Sequence, residues 1–106
     1  MPASTDDVVI RAHCEWLRRT GAAPITQRYR RGVLYRLSQS LPGRLLVATP
    51  AELDRWQSQL TVSLSTLAGY TSHVRQFYRW AVENGRCGAD PTARLPTTKV
   101  PRRRPR

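Results

Sequence analysis

The sequence predicts a small all-α domain, and three observations carry that expectation. Apolar residues recur at spacings of three and four in separate stretches. Cap residues stand before those stretches, and Gly, Asn-Gly or Pro stands after them. No alternating strand pair or hairpin dipeptide interrupts the pattern, and no internal repeat is found. The expected architecture is a bundle of four helices, with room for a short fifth helical turn near residues 91–95, followed by a basic extended arm.

The first helix is expected over 6–19. Val9, Ala12, His13, Trp16 and Leu17 form its apolar stripe. Ser4, Thr5 and Asp6 offer cap oxygens, and Asp6 and Asp7 suit the positive end of the helix dipole. Arg18 and Arg19 close the last turn and Gly21 ends it. The second helix is expected from Thr26, after "GAAP", to the vicinity of "LPG". Ile25, Tyr29, Val33, Leu34, Leu37 and Leu41 can share one side, with Arg28, Arg31, Tyr35 and Ser38 on the other. Gly32 weakens this helix by roughly 1 kcal/mol relative to Ala.

"RLLVA" suits an extended connector packed on the core. "TPAELDRWQSQL" reads as a short third helix, with Thr49 as cap, Pro50 at the first position and Glu52 at the capping-box spacing. The longest helix is expected from Ser63 or Ser65 to Glu83. Leu67, Tyr70, Thr71, Val74, Phe77, Tyr78 and Ala81 gather on its inner side. Asn84-Gly85 stops it. Prolines at 91, 96, 101 and 105 then preclude a further long helix. Trp16, Phe77 and Tyr78 are expected in the core, and Trp56 and Trp80 either in the core or on a surface between protomers.

Charge narrows the function. Lys and Arg number 18 against 7 Asp and Glu, for a net charge of +11 over 106 residues. Nearly all of it is arginine; Lys99 is the sole lysine. So unbalanced a small chain is suited to a polyanion, with nucleic acid ahead of an anionic membrane surface or an acidic protein. No apolar run of about 18 residues spans a bilayer, and the N-terminus lacks the pattern of a signal peptide. A cytoplasmic, nucleoid-associated protein is expected. Cys14 and Cys87 are far apart and read as free thiols; neither they nor His13 and His73 have metal-ligand spacing. No metal, cofactor or small-molecule substrate is expected.

The candidate DNA-binding residues lie in three places. On the second helix they are Thr26, Gln27, Arg28 and Arg31. On the outer face of the longest helix they are Ser65, Thr66, Gly69, Ser72, His73, Gln76 and Arg79. Its first turns are small or hydroxylated and admit a phosphate backbone; His73, Gln76 and Arg79 have the chemistry to meet phosphates or base edges. In the tail they are Lys99, Arg102, Arg103 and Arg104, an extended basic arm suited to phosphates or a minor groove.

"STLAGYTSHVRQFYRWAVENGRCGADPTARL", followed by "TKVPRRRPR", resembles the second half of the core-binding domain of tyrosine recombinases, the phage-integrase family. The matching residues are Thr66, Val74-Arg75, Phe77-Tyr78, Trp80-Ala81, Asn84-Gly85 and Asp90-Pro91. "APITQRYRRGVLYRL" is similar to the family's second helix and "VATPAELDRW" to its third. The likeness runs from about Asp6 to Arg106. The arginine-rich style resembles integrases of GC-rich actinobacteria and their phages. Departures are a Thr26-to-Tyr29 spacing one residue short, Cys87 in place of an aliphatic, and Asp90 in place of Asn.

The resemblance implies a SAM-like core-binding domain over 1–95 and a basic linker over 96–106 toward a catalytic domain that this chain does not contain. It further implies double-stranded DNA as partner, a clamp around the recombination site, and other recombinase protomers in a tetramer on DNA. Family catalysis uses a Tyr nucleophile with two Arg, a Lys and His residues, including an H-x-x-R element. Here His73 is followed at that spacing by Gln76 and His13 by Trp16, so the chain is not expected to cleave DNA by itself. Two alternatives stay open: a small helical DNA-binding regulator and a basic protein-interaction module.

Overall fold

A computed structural model describes residues 5–97. Lys99, Arg102, Arg103 and Arg104 lie outside the described residues. The described chain is all-α: α1 (Thr5–Arg19), α2 (Pro24–Ser40), a 3-10 turn (Leu45–Val47), α3 (Pro50–Ser58) and α4 (Leu64–Glu83). Each helix expected from the sequence is present. "RLLVA" differs: rather than an extended connector it closes one 3-10 turn, with Leu45 fully buried.

The helix ends follow local chemistry. α2 begins two residues before the expected Thr26, because Pro24 pre-sets the backbone of the first turn and Ala23 is the cap. The capping box of α3 forms: the Glu52 N–H donates to Thr49 Oγ1 at 3.2 Å and the Thr49 N–H to Glu52 Oε1 at 2.9 Å. Ser63 caps α4 by accepting from the Thr66 N–H. Gly85 follows α4 at φ +70, where the Arg86 N–H can fold back onto the Ala81 carbonyl at 2.8 Å. The fifth turn at 91–95 is organised by Asp90, whose Oδ1 accepts from both the Thr92 N–H and the Thr92 hydroxyl.

α2 is the central helix. Ser38 meets Asp6 and Arg30 meets His13, so α1 and α2 run antiparallel. Arg36 meets Tyr70 and Arg30 meets Gln76, so α2 and α4 do too. The core between them is built from Ile10, Leu34, Leu37, Leu53, Val74 and Phe77, all fully buried. Phe77 and Tyr78 are core as expected, Trp56 and Trp80 resolve to core, and Trp16 is half-buried at its edge.

The α2 helix departs from its expected faces. Val33, Leu34 and Leu37 are buried, but Ile25 and Tyr29 are 66% and 46% exposed, because among the described residues no element covers the first two turns on that side. On the opposite side Ser38 and Tyr35 are half-buried against α1 instead of solvated. The Ser38 hydroxyl donates to Asp6 Oδ2 at 2.5 Å, and Asp6 Oδ1 accepts from the Leu45 N–H at 2.9 Å. The Leu45 carbonyl in turn accepts from the Tyr78 hydroxyl at 2.7 Å. Leu45 is thus held at both its N–H and its carbonyl, on two successive peptide units. Burial pushes the Tyr78 hydroxyl far above its usual titration range, which keeps it a neutral donor.

The end of the described chain is gripped similarly. The Gln57 amide donates to Thr71 Oγ1 at 2.9 Å and to the Pro96 carbonyl at 3.1 Å. Arg75 donates to the neighbouring Leu95 carbonyl.

Candidate nucleic-acid interface

The uncovered start of α2 and the facing side of α4 enclose a notch. Ile25, Thr26, Tyr29 and His73 line it. It continues into a groove of about 360 Å³ that adds Arg28, Gly32, Arg36 and Tyr70. The Tyr29 ring lies 5.2 Å from the His73 ring and 6.2 Å from the Tyr70 ring. The Tyr70 hydroxyl accepts from Arg36 Nη1 at 2.5 Å, which fixes one basic wall. Arg28 forms part of the other.

Two glycines sit in these helices without a packing reason. A Cβ on Gly32 or on Gly69 would meet nothing within 4 Å. Each nonetheless weakens its helix by about 1 kcal/mol relative to Ala. A gap without a packing need leaves room for a close approach from outside. His73 stands one turn after Gly69 on the same side of α4.

Beneath the notch lies a buried cation. Arg30 is 2% exposed and binds three side chains. Its Nε–H donates to His73 Nδ1 at 2.6 Å, Nη1 to His13 Nε2 at 2.8 Å, and Nη2 to Gln76 Oε1 at 2.7 Å. All three acceptors are neutral. Burial lowers the Arg30 pKa, with the Cys14 thiol acting the other way. Burial also lowers the two histidines, reinforced by the Arg30 charge: His13 to about 3 and His73 to about 4. Both imidazoles are therefore neutral at physiological pH.

The expected DNA-binding residues divide over this geometry. Thr26, Arg28 and His73 belong to the notch and its groove. Ser72, Gln76 and Arg79 line a second groove of about 420 Å³, beside Trp16, Arg75 and Trp80. The Gln76 amide is engaged at both ends, accepting from Arg30 and donating to Ser72 Oγ at 3.2 Å. Ser65 is exposed, while Thr66 Oγ1 accepts from the Ser63 hydroxyl in the first turn of α4. Gln27 turns back to the Ala22 carbonyl at 2.9 Å. Arg31 is exposed but acts on α1, where its charge opposes the rise that burial imposes on the Cys14 thiol.

Sequence reasoning missed Tyr29 and Arg36 as surface residues of the groove; Tyr70, expected on the inner side of α4, is buried and closes the groove floor. Their signal was present: Tyr29, Gly32 and Arg36 are spaced three and four apart, one helical stripe. Arg30 gave no such signal, because its acceptors lie 17, 43 and 46 residues away.

Among solved structures, the chain is similar to the integrase from mycobacterium phage Brujita. The likeness has a TM-score of 0.84 at 16% identity, covering 92% of this chain and 34% of that one. The chain has the fold of one part of that integrase. It spans about a third of that protein's length. No protein-family model and no curated protein sequence matches it. Among the described residues, no helix is long and apolar enough to cross a membrane, and no group of His, Cys, Asp and Glu is arranged to hold a metal ion.

Proposed function

We propose that this chain is the core-binding domain of a site-specific tyrosine recombinase and grips duplex DNA with its α2–α4 face. The observation that carries this reading is the notch itself. An open, basic, hydroxyl- and aromatic-lined groove lies between two helices that carry Gly32 and Gly69, at each of which a Cβ would meet nothing within 4 Å, on a fold shared with part of a phage integrase. The charge of +11 supplies the attraction. Arg28 and Arg36 flank the groove to meet phosphates on either side. In this reading residues 1–95 form the domain and 96–106 a linker that follows the duplex. Strand cleavage belongs to a catalytic domain elsewhere, and contacts with other protomers complete the clamp.

The test is fluorescence anisotropy with a labelled duplex at several salt concentrations. If about five arginines neutralise phosphates, log K falls against log salt with a slope of roughly −4 to −5. The double substitution Arg28→Ala, Arg36→Ala should flatten that slope by about 2. A slope near zero, or no binding at low salt, rejects the proposal.

A further inference from the structure

His13 and His73 both touch Arg30, and the contact dictates where each ring carries its proton. A guanidinium nitrogen can only donate. The nitrogen facing Arg30 must then be the bare one in both rings. For His13 that nitrogen is Nε2, so the proton sits on Nδ1. For His73 it is Nδ1, so the proton sits on Nε2. The two rings are held in opposite tautomers by one arginine.

The consequences differ. His13 is 0% exposed and packed among Trp16, Phe77 and Trp80, and its Nδ1 is a buried atom without a hydrogen-bond partner. His73 is half-buried and lines the notch with Ile25, Thr26 and Tyr29. Its Nε2 is not among the buried unpaired atoms, and no described residue takes its proton. The edge of the ring opposite Arg30 is thus a donor left for something outside the fold.

We infer that Arg30 is a positioning residue: it locks His73 as a neutral Nε2–H donor directed into the notch, where the acceptor is a phosphodiester oxygen of the bound duplex. This rests on the DNA-binding reading above. An anionic oxygen is favoured over a base acceptor by the charge behind the ring. Arg30 is buried, every partner of its hydrogen bonds is neutral, and its Nε lies 2.6 Å from the imidazole. An oxygen at His73 Nε2 meets both a hydrogen bond and an unopposed positive charge in a low-dielectric setting. A base edge gains only the first. The depressed histidine pKa values keep this donor uncharged at neutral pH.

The experiment uses the whole 106-residue chain. Long-range ¹H–¹⁵N spectra of the free protein at pH 7 read the tautomer, and His73 should carry its proton on Nε2. Anisotropy at low salt then compares the wild type with His73→Phe and His73→Gln on one duplex, with the amide spectrum of each variant as the folding control. Glutamine can accept from Arg30 and donate outward at once, as Gln76 does here. His73→Gln should bind within about twofold of wild type, and His73→Phe about tenfold more weakly, the loss of one hydrogen bond to an anion. A duplex carrying a neutral methylphosphonate at successive positions should reproduce the weakening at one position in wild type and show no further loss there in His73→Phe. A proton on Nδ1, a charged ring at pH 7, or equal binding by wild type and His73→Phe overturns the inference while leaving DNA binding intact. Failure of the wild type to bind any duplex at low salt removes both.

Discussion

Asp6 and Arg30 are the two buried charged side chains among the described residues, and neither hydrogen-bonds to its opposite. The Asp6 carboxylate is held by a hydroxyl and a backbone N–H, both protein groups facing inward. The Arg30 guanidinium is held by two imidazoles and an amide, and two of those three side chains continue to the surface. The Asp6 shell closes on itself and joins the start of α1 to the end of α2 and the 3-10 turn. The Arg30 shell joins α1, α2 and α4, then opens at the notch. A buried charge that closes on protein is explained by packing alone. One that opens at a concave basic surface also shapes what that surface presents.

Substitution separates the two. Removing Arg30 as Arg30→Ala leaves three polar groups without their partner and a cavity, at about 3–4 kcal/mol. The urea midpoint should fall accordingly; a loss under about 1 kcal/mol would mean that the shell adds little to the fold. Acid acts on the same shell from the other direction. The histidines keep folded-state pKa values of about 3 and about 4, against 6.5 when unfolded. Between pH 6.5 and 4 the unfolded chain therefore takes up protons that the folded chain refuses. Stability is full above pH 6.5 and falls as the pH drops. By pH 5 the loss is about 2 kcal/mol from His13, with less from the partly exposed His73. Urea midpoints that match at pH 7 and pH 5 would refute the buried neutral imidazoles. The smallest effect is at Asp6. In Asp6→Asn one amide oxygen still accepts from the Leu45 N–H, and Ser38 can reverse its hydroxyl to accept, so about 1 kcal/mol is lost. A loss above about 3 kcal/mol would show that the carboxylate charge itself holds the turn.

The same pair marks how far the sequence could be read. Helix existence was legible because its signals are local: Thr49 to Glu52, Ser63 before α4, Asn84-Gly85 after it. The helical period of α2 was legible as well, but not how far its apolar stripe is covered. Ile25 and Tyr29 have the spacing of Val33 and Leu37, yet lack a neighbour to bury them. Of the residues expected on the outer face of α4, His73 lines the notch, and Ser72, Gln76 and Arg79 line a second groove. The rest depends on Arg30, a residue type that is rarely buried and whose partners come from two other helices. No window of sequence contains that arrangement.

The paired grips at the end of the described chain also act as a fixed tether point. Arg75 holds the carbonyl of Leu95 and Gln57 that of Pro96, so the exit from the domain is pinned on two successive peptides. Arg102, Arg103 and Arg104 follow Thr97 by five to seven residues. At roughly 3.3–3.6 Å per residue, a chain of that length has a maximum reach of about 17–25 Å. Short tethers give local concentrations in the millimolar range. If the proposed DNA-binding function holds, those arginines would meet the same duplex as an intramolecular event, and bulk competitors would reach them at a disadvantage set by the anchor.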